Sequence, residues 1–179
     1  MRTTTLLCVF ICLLFCACSL ANNDKMVVAS GTGNIAELQA LLKTGASPDA
    51  KGVDGWTPLT AAAKGGQLEA VKELIKNSAA VDGAEIGGGT ALFWASAYGH
   101  TDIIDFLLSK GANLNQPSST GNTPLMEAAS RGQESSVKLL LERGASTQIK
   151  NNKNETAKDL AAASGNSSLI ALLSTAPDR

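Results

Sequence analysis

The stretch TGNTPLMEAASRGQ, Thr120–Gln133, repeats a pattern that occurs earlier in the chain as DGWTPLTAAAKGGQ, Asp54–Gln67. Both stretches contain Gly, one residue, Thr-Pro-Leu, two residues, Ala-Ala, two residues and then Gly-Gln. They begin 66 residues apart, and between them lies GGGTALFWASAYGH, Gly87–His100, which keeps part of the same pattern. The underlying period is therefore 33 residues.

This period extends along most of the chain. Four residue types recur at the 33-residue interval: Thr57, Thr90, Thr123 and Thr156; Gly33, Gly66, Gly99, Gly132 and Gly165; Ala29, Ala62, Ala95, Ala128 and Ala161; and Leu41, Leu74, Leu107, Leu140 and Leu173. Repeats of this size are typical of solenoids, whose units stack because one unit cannot bury its apolar face alone. The sequence therefore predicts a stacked array.

Each unit predicts a pair of helices. The threonine hydroxyl can cap free amide groups at a helix start, and proline suits the first helical position. The alanine pair leaves room for a neighbouring helix, and the glycine that follows permits a turn. A second helix is indicated by apolar residues at spacings of three and four, as in Val71, Leu74 and Ile75.

These features resemble the ankyrin repeat family, and the resemblance covers residues 24–176. It implies an all-α solenoid whose units each contain two antiparallel helices and a β-hairpin-like loop. We expect five stacked units in one domain, 22–179, at about 22–54, 55–87, 88–120, 121–153 and 154–179. In the first unit, Asp24 replaces the Thr-Pro start and is expected to cap the helix. Ser78 replaces a turn glycine, which predicts a slightly strained or frayed turn.

Residues 1–21 have the layout of a secretory signal peptide. Arg2 supplies an early positive charge, an apolar run extends from Leu6 to Cys18, and small residues follow at Ser19 and Ala21. The run is shorter than the roughly 20 apolar residues that span a bilayer as a helix. We therefore expect export to the periplasm or cell envelope, with release from the cell as the alternative.

The cysteines leave the cleavage site open between two predictions. A cut after Ala21 would remove all four of them, which are Cys8, Cys12, Cys16 and Cys18. The mature chain would then have no disulfide and no thiolate metal site. The segment LFCAC, Leu14–Cys18, also resembles a bacterial lipoprotein signal, in which Cys18 would carry the lipid. A lipid at Cys18 is the one membrane attachment that we expect.

Charge and residue types exclude several classes of function. Without Arg2 the chain has 14 basic and 16 acidic side chains, no basic stripe, and few aromatic residues, so we expect no nucleic-acid partner. We also expect no cofactor, no metal and a monomer. His100, the one histidine, follows a helix-ending glycine, and we interpret it as a turn residue bonded to backbone. The alternative is a hydrolase that uses His100 with Asp102.

Two Asn-x-Ser/Thr triplets begin at Asn154 and Asn166. They would be glycosylated only in a cell that modifies such sites.

The ankyrin resemblance implies a non-catalytic module that binds a partner protein on its concave surface, built from loop tips and the ends of first helices. When equivalent positions are taken at the 33-residue interval, that surface would contain Val53, Asp54, Trp56, Lys64, Ile86, Ala97, Tyr98, Thr120, Asn122, Ser130, Arg131, Lys153 and Glu155. Trp, Tyr and Arg are the residue types that dominate interface energies. The alternative for Trp56 and Tyr98 is packing within their own unit, and we expect Phe93 and Trp94 to pack between units.

The biological purpose is left with two alternatives. The protein would hold, stabilise or inhibit a partner in the cell envelope, or it would be a secreted effector that engages host proteins.

Overall fold

The structure, a computed structural model, describes residues 22–176. The expected signal peptide at 1–21, which includes Cys18, lies outside the described residues. The described residues form ten helices: α1 over residues 22–32, α2 Ile35–Lys43, α3 Pro58–Lys64, α4 Leu68–Lys76, α5 Ala91–Tyr98, α6 Thr101–Ser109, α7 Pro124–Ser130, α8 Glu134–Glu142, α9 Ala157–Ala163 and α10 Ser167–Thr175. They follow one another as five helix pairs.

The helix pairs stack in two rows. The first helices of successive pairs pack side by side, α3 on α5, α5 on α7 and α7 on α9. The second helices form the other row, with α2 on α4, α4 on α6, α6 on α8 and α8 against α10. The prediction of an all-α solenoid is confirmed. Within residues 22–176, β structure is limited to an isolated antiparallel bridge between Ala84 and Thr90.

Threonine caps begin four of the first helices, as the sequence predicts. Each hydroxyl accepts a hydrogen bond from the backbone N–H three residues later, at distances of 3.1 Å for Thr57, 3.2 Å for Thr90, and 3.3 Å for Thr123 and Thr156. The bond satisfies an amide that has no partner inside the helix. The same local signal therefore starts α3, α5, α7 and α9.

The recurring alanines are buried in the first helices, which pack side by side. All five are between 0% and 1% exposed: Ala29, Ala62, Ala95, Ala128 and Ala161. A methyl group at this position lets the helices approach closely, whereas a larger side chain would force them apart. Larger apolar residues such as Leu38, Leu74, Leu107 and Leu140 fill the space between the two rows of helices.

The prediction that Asp24 caps the first helix is wrong. Residues 22–24 are already helical, so Asp24 lies inside α1. Its carboxylate instead accepts a 2.7 Å hydrogen bond from the backbone N–H of Val53 in the following loop. Asp24 thereby joins the first helix pair to the loop that precedes α3.

The strained turn predicted at Ser78 is confirmed. Ser78 has a φ of +67°, in the left-handed region, and the equivalent positions hold Gly45, Gly111 and Gly144 at φ between +86° and +88°. A side chain is disfavoured there because its Cβ approaches the following carbonyl oxygen.

Candidate protein-binding surface

Five side chains from the row of first helices and from the loop before α3 lie against one another. Trp56 precedes the Thr57 cap, Lys64 is the last residue of α3, Trp94 and Tyr98 lie one turn apart on α5, and Arg131 follows α7. They come from three successive units and meet because the first helices stack side by side. We call Trp56, Lys64, Trp94, Tyr98 and Arg131 the aromatic–cationic cluster.

The aromatic rings of the cluster form a continuous series. The ring centroids are 4.9 Å apart for Trp56 and Trp94 and 6.2 Å apart for Trp94 and Tyr98. Rings at such separations attract each other beyond the area that they bury. Tyr98 remains 40% exposed, whereas Trp56 and Trp94 are half-buried. The ring series thus holds its shape while part of its surface faces solvent.

Two cations lie against these rings. Lys64 Nζ is 4.6 Å from the Trp56 centroid, 5.4 Å from that of Trp94 and 6.0 Å from that of Tyr98. The guanidinium carbon of Arg131 lies 5.1 Å from the Tyr98 centroid. The negative face of an aromatic ring attracts a cation at this range. The side chains of Lys64 and Arg131 are therefore oriented before any partner arrives.

Arg131 has a carboxylate partner as well. Its Nε donates a 2.6 Å hydrogen bond to Glu127, one turn earlier on α7. The hydrogen bond that Arg131 donates to Glu127 raises the pKa of Arg131 above its ordinary value, and burial opposes that shift. Arg131 is therefore charge-compensated and held in one orientation.

Two grooves adjoin the cluster. One has a volume of about 360 Å³ and is lined by Val27, Gly31, Trp56, Ala61, Lys64, Gly65 and Tyr98. The other has a volume of about 350 Å³ and is lined by Asp24, Val27, Val28, Gly52, Val53, Asp54 and Trp56. Because both contain Val27 and Trp56, they are adjacent concavities, and Tyr98 extends the first of them to the third unit.

The predicted residues of the later loops have mostly structural contacts. The amide nitrogen of Asn151 donates to Asn122 at 2.9 Å and to Glu155 at 3.0 Å. Asn122 and Glu155 are half-buried in this loop network, while Lys153, Thr120 and Ser130 are exposed, and Ala97 is buried. The sequence-predicted surface is thus brought together at Trp56, Lys64, Tyr98 and Arg131, with Val53, Asp54 and Ile86 on the preceding loops.

His100 makes the backbone contact that the sequence predicts. Its Nε2 lies 3.2 Å from the carbonyl oxygen of Lys64, and its ring stacks on Tyr98 with centroids 6.4 Å apart. Asp102 accepts a hydrogen bond from the N–H of Ile103, and no hydrogen bond joins it to His100. His100 thus links the segment between α5 and α6 to the end of α3, next to Tyr98 of the cluster.

Trp94 is the cluster residue that we assigned to packing between units. It does contact Phe93, which is buried, with ring centroids 5.4 Å apart, but its other side faces Trp56 and Lys64. The indole N–H is buried without a hydrogen-bond partner among the described residues. The spacing of four between Trp94 and Tyr98, which the sequence analysis did not use, is a signal that both lie on one helix face.

A family model for ankyrin repeats, which describes three copies of the repeat, matches residues 25–118 and also residues 113–178. The chain belongs to the ankyrin repeat family. Ankyrin repeats are generally protein–protein interaction modules, and the family is generally non-catalytic. No curated protein matches this ankyrin-repeat chain.

Two further properties concern the described part of the ankyrin-repeat protein. Within residues 22–176, no helix is both long and apolar enough to span a bilayer. The same residues contain no group of three or more His, Cys, Asp or Glu side chains arranged to hold a metal ion.

Proposed function

We propose that this ankyrin-repeat protein binds a partner protein through the face that carries the aromatic–cationic cluster, and that it does so without catalysis. The observation that carries the proposal is the partial exposure of Tyr98, at 40%, within a series of rings and cations that is already ordered. Ordered aromatic and arginine side chains are favourable at an interface centre because little side-chain freedom is lost on binding.

Site-specific photo-crosslinking in the native cell tests this proposal. A photoreactive phenylalanine derivative would replace Tyr98 in one variant and Lys110 in a matched variant. Lys110 is exposed and follows α6, in the second row of helices. We expect a covalent adduct with one partner protein from position 98 and none from position 110. Adducts from position 110 alone, or from neither position, would contradict binding through the cluster.

Alanine substitution measures how much the cluster contributes. We expect Tyr98→Ala or Trp56→Ala to weaken partner binding about tenfold or more, the effect typical of residues at an interface centre. Lys110→Ala serves as the control and should bind like the unchanged protein. Circular dichroism of each variant separates lost binding from lost folding.

We also propose that the protein acts outside the cytosol, where it holds, stabilises or inhibits its partner. The support is the layout of residues 1–21, with Arg2, an apolar run and small residues before Ala21. The mass of the protein purified from its own cell is the test. A chain that starts at Asn22 indicates a soluble mature form, and one that starts at an acylated Cys18 indicates a lipid-anchored form. An uncleaved chain would contradict export.

The alternative purpose, a secreted effector that engages host proteins, would use the same surface. Recovery of the mature chain from the culture medium, rather than from the envelope, would favour it.

A further inference from the structure

Lys64 is the charge in the aromatic–cationic cluster that lacks a counterion. Its Nζ lies over three rings, yet no carboxylate within the described part of the chain comes within ion-pair distance of it. Arg131, in contrast, already pairs with Glu127 at 2.6 Å. An ammonium group beside aromatic rings has fewer water neighbours than a free lysine, so that an added anion interacts with it more strongly.

Within residues 22–176, the large apolar side chains that are exposed lie in the first three units, Tyr98 included. Val28 is 61% exposed, Val53 is 74% exposed and Ile86 is 81% exposed. Val53 and Ile86 are equivalent loop-tip positions, and the same position in the next two units is polar, with Ser119 and Asn152. The loop tips thus change from apolar to polar along the solenoid. An apolar occupant would bury the most surface on the side where the two grooves lie.

We infer that the partner presents a short segment in which an acidic residue is flanked by large apolar residues. This inference rests on the proposed function and specifies what the surface recognises. The carboxylate would pair with Lys64 Nζ, and the apolar neighbours would occupy the grooves that share Val27 and Trp56. Lys64 is exposed in the free protein, and a partner that covers the rings would remove water from the ion pair, which would then interact more strongly than a pair on an open surface.

A basic segment would be disfavoured at this position. The ring faces that would receive a cation are already occupied by Lys64, whose ammonium would repel a second positive charge. The opposite end of the groove pair carries Asp54, which is exposed. Because Lys64 and Asp54 have opposite charges, the acidic residue of the partner segment belongs at the Lys64 end, and this sets the direction in which the segment lies.

Selection from a displayed library tests the inference directly. Random peptides of about 12 residues would be selected for binding to the protein as purified from its own cell, in its processed form. We expect enrichment of Asp or Glu next to Leu, Phe or Trp. A synthetic consensus peptide should lose about tenfold in affinity on Lys64→Met, which removes the charge and keeps most of the apolar stem.

The matched control is Lys110→Met. Lys110 also lies over an aromatic ring, with Nζ 5.4 Å from the Phe106 centroid, but on the second row of helices. We expect this variant to bind the peptide unchanged. A Glu→Gln change in the peptide should weaken binding to the unchanged protein and have little further effect on the K64M protein, since both changes remove the same ion pair.

The inference is wrong if the selection yields no binder, or if the selected peptides are basic or lack enrichment in acidic residues. It is also wrong if the K64M protein binds the consensus peptide as tightly as the unchanged protein does. If photo-crosslinks from position 98 still form in those cases, the proposed function stands and the assigned chemistry is wrong. Loss of those crosslinks removes the proposed function itself. A selection that yields no acidic peptides, together with Lys64-dependent binding to phosphatidylglycerol vesicles, would assign the surface to a membrane and also overturn the inference.

Discussion

The Asp82 carboxylate accepts a 2.9 Å hydrogen bond from the backbone N–H of Asn113, in the loop of the next unit. Equivalent residues repeat the bond at the same interval: Asp49 accepts from the N–H of Ala80 at 2.9 Å, and Asn115 accepts from that of Ser146 at 3.0 Å. This column of acceptors connects consecutive loops. The loops therefore stack with the helices even though they form almost no β structure among the described residues.

Asp82→Ala should lower the free energy of unfolding by about 1 kcal/mol, because the N–H of Asn113 loses its acceptor. Asp82→Asn should retain most of the stability, since an asparagine makes the same bond at position 115. Urea unfolding of the three proteins measures both effects. Equal stability of D82A and D82N would show that the hydrogen bond is not the source of the stabilisation.

Ser78→Gly should stabilise the protein by about 0.5–1 kcal/mol. A side chain at φ +67° is disfavoured by roughly 1–2 kcal/mol, and the greater freedom of glycine in the unfolded chain offsets part of that gain. The matched reverse change is Gly111→Ser, at φ +86° with no atom within 4 Å of an added Cβ. Thermal unfolding should give a higher Tm for S78G and a lower Tm for G111S. Changes of the same sign would exclude backbone strain as the cause.

Local signals repeated at a fixed interval made the fold predictable. Thr57 and its equivalents cap helices through hydrogen bonds to residues three positions later. The buried position of Ala95 and its equivalents requires only that the side chain be small. Such features act the same way in each unit, so their recurrence in the sequence was sufficient. The acceptor column that contains Asp82 was also present in the sequence at the 33-residue interval, and we overlooked it because polar loop residues were interpreted as turn formers.

The candidate site was less predictable because it depends on contacts between units. The 33-residue interval predicted that Trp56, Lys64 and Tyr98 share one surface, and whether that surface binds a partner stays a prediction. No local signal indicated that Lys64 would lie over rings supplied by the next unit. Trp94 was assigned to packing since its sequence position does not show which neighbour covers it. Asp24 was misjudged for a related reason: α1 already includes residues 22–24, before the position at which the repeat motif starts its helix.

Gly65→Ala should destabilise the junction between the first two units by about 1–3 kcal/mol. A Cβ at Gly65 would overlap the carbonyl oxygen of Gly31, which is backbone and cannot rotate away. The φ of Gly65 is −77°, so the effect is steric and does not arise from backbone strain.

Gly31→Ala is the control for this junction. An added Cβ at Gly31 would lie 3.5 Å from the Cβ of Ala61, an ordinary contact, and Gly31 is helical. We expect G31A to be neutral or stabilising by up to about 1 kcal/mol, because alanine favours a helix over glycine. Urea unfolding that ranks G65A at or above G31A would disprove the close approach of α1 and α3.

The Asp159 carboxylate should titrate below the ordinary range near 3.9. It accepts hydrogen bonds from the Thr156 backbone N–H at 2.8 Å and from the Thr156 hydroxyl at 2.7 Å, and these bonds lower the pKa of Asp159 because they favour its charged form. A carboxyl whose pKa is lower in the folded protein contributes stability above the unfolded pKa. That contribution is lost as the pH falls from about 4 through the folded pKa.

Nuclear magnetic resonance titration of the Asp159 side-chain carboxyl carbon measures the folded pKa directly. Asp159→Asn keeps an acceptor oxygen at the helix start and removes the titration. Between pH 5 and pH 3, which lie about one unit either side of the unfolded pKa, the urea midpoint of this variant should fall less than that of the unchanged protein. A midpoint in the NMR titration at or above the ordinary value would mean that the Thr156 bonds do not persist in solution. The start of α9 would then depend on the Thr156 hydroxyl as acceptor from the Asp159 N–H alone, at 3.3 Å.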